Sequence, residues 1–490
     1  SRHKFYLGDL YMFISQILLQ NFKVYQGKTV FKPSEHLTFL AGQNNAGKST
    51  IFEALSILRD GKSSLDELRN KQAPSTATVK IEVEFSGNDI DKLIDKFATS
   101  KKQEVLKKHI YHGEQETIKL SRTSQTREWK TAKGEKKIIK SGDLAIKNPE
   151  TEEYENPTGI DAPIKSLFSV IWVEADQSAD SEINFKNSGL IGSLVGNLAA
   201  SFKNYGALEK AHKEVFEQLD KKLAPNLSEK LDDILDTQYG HNIKTRIDFV
   251  LPDVKSFLTN ANLLVDDGVE TDYSQKGHGL QRSIALALIQ LQSELQQEEN
   301  KGDMEKPVFY FIDEPEVYLH PQGQRTLRDS LVNLSETSQV FIATHSPYII
   351  DKYNNNKQEI WVLKKTHSSE NSIKIKNISK KLNHIGLTPT SAEITYFAYE
   401  IPTFEFHDQL YDQLTTLKNT NSVKSLDNLL MNCGHDVPLS PSSYNETTYC
   451  TLPIKIRNWY HHQSSNSSTF TDEELQSSTE ALIKEIECCN

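Results

Sequence analysis

Residues 42 to 50, which read GQNNAGKST, have the types and spacing of a phosphate-binding loop. Gly42 and Gly47 are separated by four residues, and Lys48 and Ser49 follow directly. Glycines let the backbone turn its N–H groups inward at the start of a helix, where they form a nest for an anion. The lysine supplies a cation for the β- and γ-phosphates, and the serine hydroxyl is a ligand for Mg²⁺. We therefore predict that this loop binds a nucleotide together with Mg²⁺.

The context of the loop strengthens this prediction. The apolar run LTFLA precedes the loop and the amphipathic run STIFEALSILRDG overlaps its end. The loop therefore lies between a predicted strand and a predicted helix, and a match in that context is far more specific than the bare pattern. The predicted ATP-binding residues are Gly42, Asn44, Asn45, Ala46, Gly47, Lys48, Ser49 and Thr50.

A second candidate site lies directly after the apolar run VFYFI, which Asp313 and Glu314 follow. A buried strand that ends in a carboxylate places it at the carboxyl edge of a sheet, where the cation of a P-loop also lies. We predict that Asp313 and Ser49 organise Mg²⁺. Glu314 would hold a water for in-line attack on the γ-phosphate and act as its general base. The alternative is a strand that simply ends in acidic turn residues.

Two more polar residues follow apolar runs. His345 ends the run in VFIATHSP and is predicted to contact the γ-phosphate as a sensor. Gln177 comes after VIWVEA and is predicted to touch Mg²⁺ or the attacking water. A lone histidine is usually structural, and any polar residue can end a strand. Both predictions therefore depend on the two motifs above.

The elements that must position these residues are apolar strands alternating with helices, among them PVFYFID, SQVFIATHS and EIWVLKK. This alternation predicts an α/β fold with a mainly parallel sheet, and ATVKIEVEFS and ETIKLSRTS predict an added antiparallel layer. After about residue 390 the composition becomes helical and aromatic. The predicted segments are an extension or expression remnant at 1–11, a head at 12–390 with a strand-rich basic insert at 76–160 and a helical insert at 187–240, and a helical C-terminal domain at 391–490.

Composition limits the possible classes of protein. The chain has 490 residues, of which 37% are hydrophobic and 25% charged, as in ordinary globular proteins. No apolar run approaches the roughly 18 residues that a membrane helix needs, so we expect a cytoplasmic protein without a membrane partner. The four cysteines form no C-x-x-C pair, which favours reduced thiols.

The distribution of charge is uneven. The net charge of −11 argues against a protein coated by nucleic acid. Lys101–Lys147, however, holds 13 Lys and Arg against 6 Asp and Glu, a net charge of +7. This segment is either a solvated hairpin face or a surface that contacts the phosphate backbone of a nucleic acid such as DNA.

Several motifs together resemble a known family. The P-loop, SQKGHGLQ, FIDEPEVYLHP and ATHSP occur in this order after the opening ILLQNFKVY. They are similar to the ABC-class ATPase heads of the RecF, SMC and OLD group, and DEPE-x-x-LHP most resembles the OLD and anti-phage branch. The resemblance covers about residues 12 to 365. It implies an ABC-type P-loop head that hydrolyses ATP as a homodimer, with two ATPs held between the heads.

The resemblance also implies a signature loop that reaches the nucleotide of the partner subunit. YSQKGHGLQRS (273–283) would be that loop, and its glycines would free backbone N–H groups at a helix start. Alignment on Gln281 puts Lys276 at the family's serine position, whereas a shift of two residues puts Ser274 there. We expect Lys276→Ala to lower ATPase activity more than Ser274→Ala does. The predicted contacts in trans are Ser274, Lys276, Gly277 and Gly279.

Departures from the family pattern refine the functional prediction. OLD nucleases carry a TOPRIM domain marked by an early Glu-Gly pair, and none follows His345. The stretch after residue 386 resembles instead the C-terminal part of stand-alone defence ATPases, the AriA and PtuA subunits of the PARIS and Septu systems. This resemblance implies a dimer, or an oligomer of dimers, that senses infection and controls a separate nuclease or toxin effector. A RecF-like DNA repair ATPase is the alternative.

The C-terminal region offers a third hypothesis. Arg457 and His462 in IRNWYHH are separated by four residues, which is similar to the R-x4-H motif of HEPN ribonucleases. The alternative is a structural arginine and a histidine pair at a helix end. Nearby cysteines and histidines could be drawn as a zinc site, but their spacings fit no standard finger.

Overall fold

The computed structural model describes residues 12–173, 263–291 and 306–489, together with isolated positions between 210 and 229. Short gaps fall at 43–44, 63, 132–133, 282, 285, 289–290, 355, 366–372, 380–381, 383, 385–388, 434–435 and 463–468. The predictions for residues 1–11, Asn44 and Gln177, and nearly all of the insert at 187–240, therefore lie outside the described residues. The chain forms two compact units, one of Ser1–Ala175 with Gly302–Asn490 and the other of Asp176–Lys301.

The strands of the first unit are β1 (Phe13–Phe22), β2 (Tyr25–Phe31), β3 (Leu37–Gly42), β4 (Lys80–Gly87), β5 (Glu116–Thr123), β6 (Arg127–Lys130), β7 (Lys136–Ile139), β8 (Ala145–Lys147), β9 (Tyr154–Glu155) and β10 (Ser169–Val173), then β13 (Val308–Asp313), β14 (Gln339–Thr344), β15 (Gln358–Lys365), β16 (Ile373–Asn377), β17 (Leu439–Tyr444) and β18 (Thr447–Thr451). Between them, β11 (Leu264–Asp266) and β12 (Glu270–Asp272) form a hairpin in the second unit.

The labelled helices belong to the first unit. They are α1 (Lys48–Asp60), α2 (Ile90–Phe97), α3 (Ser100–Lys107), α4 (Asp161–Leu167), α5 (Pro321–Ser335), α6 (Pro347–Ile350), α7 (Ser391–Tyr399), α8 (Phe404–Leu417), α9 (Val423–Met431), α10 (Leu452–His461) and α11 (Asp472–Glu487). Among the helices that the structure describes, none is both long and apolar enough to cross a lipid bilayer.

Two six-stranded sheets build the head. One has the order β10-β13-β14-β3-β15-β16 and is parallel except for the β15–β16 hairpin. The other, β2-β1-β4-β5-β8-β9, is antiparallel. The predicted combination of a mainly parallel sheet and an antiparallel layer is confirmed. Phe52 of α1 packs against Phe311 of the parallel sheet, with ring centroids 5.1 Å apart, and belongs to a core that both sheets share.

The C-terminal region contains the five helices α7 to α11, as the predicted helical domain requires, but also the hairpin β17–β18. Asn445 and Glu446 form its two-residue turn, with φ of 50° and 64°. Paired positive φ angles match the twist of a tight hairpin, and asparagine tolerates them well. The polar stretch SYNETTY (443–449) is this turn and its flanks. Phe406, Leu410 and Leu482 lie in a separate apolar core of this region.

Candidate nucleotide-binding site

The backbone of the predicted P-loop needs glycine at two positions. Gly42 ends β3 with φ 140°, and a Cβ there would lie 2.2 Å from the carbonyl oxygen of Leu363 on β15. Gly47 has φ 90° at the N-cap of α1, and a Cβ there would lie 2.7 Å from Val24. Any larger residue would force the neighbouring strands apart. The glycines therefore let the loop lie close to β15 and the start of β2.

Tyr25 at the start of β2 supports the loop from below, a contact that the sequence did not reveal. Its hydroxyl donates to the carbonyl oxygen of Gly47 over 2.7 Å. The side chain is fully buried, and burial raises the pKa of the phenol. A buried carbonyl without this donor would lose a hydrogen bond and remain desolvated. Tyr25 therefore fixes the end of the loop at the first turn of α1.

Lys48 and His345 meet at the centre of the site. The Lys48 ammonium donates to the carbonyl oxygen of Gly42 over 3.2 Å and lies 2.7 Å from His345 Nε2. Burial, and then the charge of Lys48, lower the pKa of His345 to about 4. The imidazole is therefore neutral at pH 7, and its Nε2 accepts the lysine proton in a hydrogen bond. The lysine itself is only 5% exposed.

The two carboxylates predicted after VFYFI lie at the same edge. The Ser49 hydroxyl donates to Asp313 Oδ2 at the end of β13. Glu314 follows with φ 45°, and its Oε1 lies 3.5 Å from His345 Nε2. Because β3, β13 and β14 are parallel neighbours, their carboxyl ends bring these side chains together. Lys48, Ser49, Asp313, Glu314 and His345 thus form one cluster, as the motifs predicted.

The donor set of this cluster suits Mg²⁺ and a nucleotide phosphate. A hydroxyl and a carboxylate are oxygen ligands of the kind that Mg²⁺ prefers. The ammonium of Lys48 has its pKa lowered by burial, against the opposing charges of Glu314, Asp313 and Glu316. A buried cation among carboxylates at a helix N-terminus fits a phosphate group bridged to a divalent metal.

Glu316 is a further residue of this edge that the sequence did not single out. Its Oε1 accepts the backbone N–H of His345 over 2.7 Å. Burial raises the pKa of Glu316, although the hydrogen bond from His345 acts in the opposite direction. The only signal in the sequence is that DEPE contains a third acidic residue.

The signature-loop candidate in the second unit begins with a 3₁₀ turn, Tyr273–Gln275, and leads into a helix that starts at 278. Ser274 and Gly277 are exposed, and Gly279 lies in the first helical turn. Lys276 lies instead against its own hairpin, where its ammonium pairs with Asp267 over 2.5 Å and donates to the carbonyl oxygen of Val269. The helix start predicted from the sequence is present, and the lysine is already engaged within the subunit.

Six of the 13 cations of the basic segment have ion-pair or hydrogen-bond partners inside the head. Ion pairs or hydrogen bonds join Lys102 to Thr158, Lys107 to Asp95, Lys119 to Glu84, Arg122 to Asp161, Lys136 to Glu128 and Lys147 to Glu152. Lys130, Lys137 and Lys140 of the β6–β7 hairpin are exposed, and no ion pair joins them to another described residue. The observed contacts favour the interpretation of a solvated face for most of this segment.

Arg457 and His462 have different partners. The Arg457 guanidinium lies 5.5 Å from the ring centroid of Tyr411 on α8. His462, at the C-cap of α10, stacks on Tyr444 of β17 with centroids 4.2 Å apart and contacts its hydroxyl over 3.1 Å. Within the described part of the chain, no three His, Cys, Asp or Glu lie together as metal ligands.

Comparison with known proteins agrees with this geometry. Residues 12–350 match the family model of the AAA ATPase domain. The chain is 29% identical over 391 residues to the Old nuclease of Escherichia phage P2, an alignment that covers 76% of this chain and 62% of that protein. The chain thus spans less than two thirds of the length of this relative.

Solved structures with a similar chain path include an SMC head bound to the C-winged helix domain of ScpA, with TM-score 0.43, 17% identity and coverage of 74% of this chain and 97% of that chain. Another is the SMC head domain from Thermotoga maritima, with TM-score 0.35, 12% identity and coverage of 74% and 98%. The family model and the Old nuclease confirm the predicted membership in the ATPase group of RecF, SMC and OLD. The chain belongs to the AAA ATPase domain family, which its residues 12–350 match.

Proposed function

We propose that this protein hydrolyses Mg-ATP as a homodimeric switch in anti-phage defence and controls a separate nuclease or toxin effector. The observation that carries the enzymatic part is the cluster at the carboxyl edge of the parallel sheet. There the Lys48 ammonium, the Ser49–Asp313 pair and the Glu314 carboxylate surround one point, with His345 Nε2 2.7 Å from the lysine and 3.5 Å from Glu314.

Each residue has a distinct role in this mechanism. The N–H groups of the loop and the ammonium of Lys48 bind the phosphates. Lys48 must therefore give up its hydrogen bond to His345 when the nucleotide binds. Ser49 and Asp313 would hold Mg²⁺, which when bound neutralises phosphate charge. Glu314 takes the proton of the attacking water. His345, once released by Lys48, can donate from Nε2 to the γ-phosphate because its ring is neutral and free to change tautomer.

Two exposed features support a composite site formed with a second copy. The signature-loop candidate presents Ser274 and Gly277 to solvent at a helix start, where N–H groups attract an anion. Tyr318 lies four residues after Glu314, has φ 66° and is 70% exposed. A strained, exposed aromatic residue beside a phosphate site is typical of a surface that a partner covers. A C₂ dimer would place each loop over the other subunit's P-loop.

The proposed role in defence rests on the sequence resemblance described above and not on geometry. The matched relative is a nuclease of a phage, and the chain spans 62% of it. The region after β16 folds into α7 to α11 with the β17–β18 hairpin. Its sequence carries the resemblance to stand-alone defence ATPases. We propose that this region transmits the nucleotide state to the effector.

The enzymatic proposal is tested by two substitutions measured beside the native protein. Lys48→Ala should abolish ATP binding, measured with a fluorescent ATP analogue. Glu314→Gln should bind ATP but lower kcat by about 10²- to 10⁴-fold, the usual contribution of a general base. Lys136→Ala, which removes an exposed ion pair far along the sequence, is the control. Native-rate hydrolysis by Glu314→Gln would show that the base is wrongly assigned.

A further inference from the structure

Glu316 has no part in the mechanism above, yet it contacts the sensor histidine. Its Oε1 accepts the backbone N–H of His345 over 2.7 Å. The peptide group of His345 is thereby fixed just after β14, where the chain leaves the sheet. The imidazole is then held 2.7 Å from Lys48 Nζ and 3.5 Å from Glu314 Oε1. A shift of this peptide would move the ring relative to both groups.

A second contact clamps the same two loops. Gln324 of α5 donates to the carbonyl oxygen of Leu319 over 2.8 Å, and its Oε1 accepts the hydroxyl of Ser346 over 2.5 Å. Ser346 caps α6 by accepting the N–H of Tyr348. The loop that carries Glu316 and the loop that carries His345 are therefore joined on both sides of the histidine.

Tyr399, the last residue of α7, brings the C-terminal region to this point. Its hydroxyl is buried and makes no hydrogen bond to another residue that the structure describes. Glu316 Oε2 is also buried and makes no hydrogen bond to another described residue. Burial, and then the charge of Glu316, raise the pKa of Tyr399. A buried hydroxyl without a partner is costly, and rotation about its C–O bond can supply the missing donor to a nearby carboxylate. Helix α7 also contacts β3 and α6, the elements that flank the P-loop and His345.

We propose that Glu316 is a positioning residue for ATP hydrolysis, which holds His345 in register and connects it through Tyr399 to the C-terminal helices. The inference rests on the proposed ATPase function. When Lys48 leaves His345 for the phosphates, the loop at 345 is released from one contact and remains held by Glu316. The Tyr399 hydroxyl then senses any movement of that carboxylate, which gives α7 a direct response to the nucleotide.

The first test compares Glu316→Ala with Glu316→Gln by steady-state ATPase kinetics. Glu316→Ala should lower kcat at least about tenfold with KM for ATP changed less than about twofold, because positioning affects the transition state and not substrate binding. Glu316→Gln keeps an oxygen acceptor for the His345 N–H and should lower kcat only about threefold. Native kcat in Glu316→Ala, or equal damage by both variants, would contradict the proposal.

The second test uses Tyr399→Phe with Glu316→Gln in a double-mutant cycle, which also decides the matter if Glu316→Ala does not fold. Each single variant should lower kcat about threefold, and the double variant should be no worse than either. Tyr396→Phe on the same helix is the control, since its hydroxyl bonds Gln476 over 3.0 Å and should act independently of Glu316. Additive effects of Tyr399→Phe and Glu316→Gln would disprove the link. Absence of hydrolysis by the native protein would instead overturn the proposed ATPase function.

Discussion

Lys48 and His345 share a hydrogen bond that the phosphates would break in the proposed mechanism. The ammonium lies 2.7 Å from the neutral imidazole, so the lysine is held in the site before any phosphate arrives. A preorganised cation loses little side-chain freedom on binding. Binding of a phosphate would cost the hydrogen bond from Lys48 to the neutral imidazole. A hydrogen bond from Lys48 to the charged phosphate is stronger and would replace it.

The residues of the nucleotide cluster were predictable because each lies in a local sequence pattern. Lys48 and Ser49 follow the glycines, and Asp313, Glu314 and His345 end apolar runs. Tyr25 and Glu316 were not predictable, because their roles depend on backbone groups of Gly47 and His345 that lie far away in the sequence. A tyrosine in a strand and a third acid in a turn look ordinary until the sheets are assembled.

Tyr25→Phe should weaken nucleotide binding. The buried Gly47 carbonyl would lose its donor, at a cost of about 1–3 kcal/mol, and the loop would loosen. We expect KM for ATP to rise several-fold. Tyr353→Phe is a matched control, since its buried hydroxyl donates to Gln358 over 2.7 Å away from the loop. Tyr353→Phe should lower the free energy of unfolding by a similar amount and leave KM for ATP unchanged. Equal KM values for the two variants would show that Tyr25 has no specific role in nucleotide binding.

At the scale of elements, helices and strands with a clear hydrophobic pattern of their own were predicted well. β3, the P-loop and α1 follow one another with clear periodicity, and so do β13 and β14. The β17–β18 hairpin was missed because LSPSSY is neither apolar nor β-branched, and tertiary contacts with α10 and α9 stabilise it. The local signals were the turn at Asn445 and the strand-favouring residues of β18, TTYCT.

The β6–β7 hairpin offers a test between the two functional hypotheses, a defence ATPase and a RecF-like DNA repair factor. Lys130, Lys137 and Lys140 are its exposed lysines without ion pairs to described residues. We predict that duplex DNA does not stimulate native ATPase activity. Changing all three lysines to Glu should leave the basal rate intact, because none of the described hydrogen bonds and ion pairs of the nucleotide cluster involves them. Lys107→Glu, which breaks the ion pair with Asp95, controls for a general change of charge. DNA stimulation that the triple variant loses would favour the RecF-like alternative.

At the scale of the whole molecule, the order of the strands decides which residues meet. The sequence predicted a parallel sheet but not the order β13-β14-β3, which places Asp313, His345 and the P-loop on adjacent strands. That order depends on crossover connections and long-range packing, which a single sequence does not show.

The pH dependence of stability should be dominated by buried neutral histidines. Burial lowers the pKa of His407 to about 4, and its ring contacts the Ser478 hydroxyl over 2.8 Å in the C-terminal core. The unfolded chain binds this proton near pH 6.5, so the stabilisation is complete above that pH and is lost as pH falls toward 4, by up to about 3 kcal/mol. Urea unfolding measured across this range should show it, and His407→Gln should flatten the curve. An unchanged slope would mean that His407 is charged when folded.

The composite site in a homodimer is tested most directly by mixing two inactive variants. Lys48→Ala removes the phosphate cation, and Lys276→Ala removes the proposed contact in trans, which within the subunit pairs with Asp267. A heterodimer of the two contains one site with both lysines. With random pairing, we predict that the mixture recovers about a quarter of native ATPase activity while each variant alone stays inactive. A mixture with no more activity than its parts would contradict the dimer with nucleotides shared between subunits.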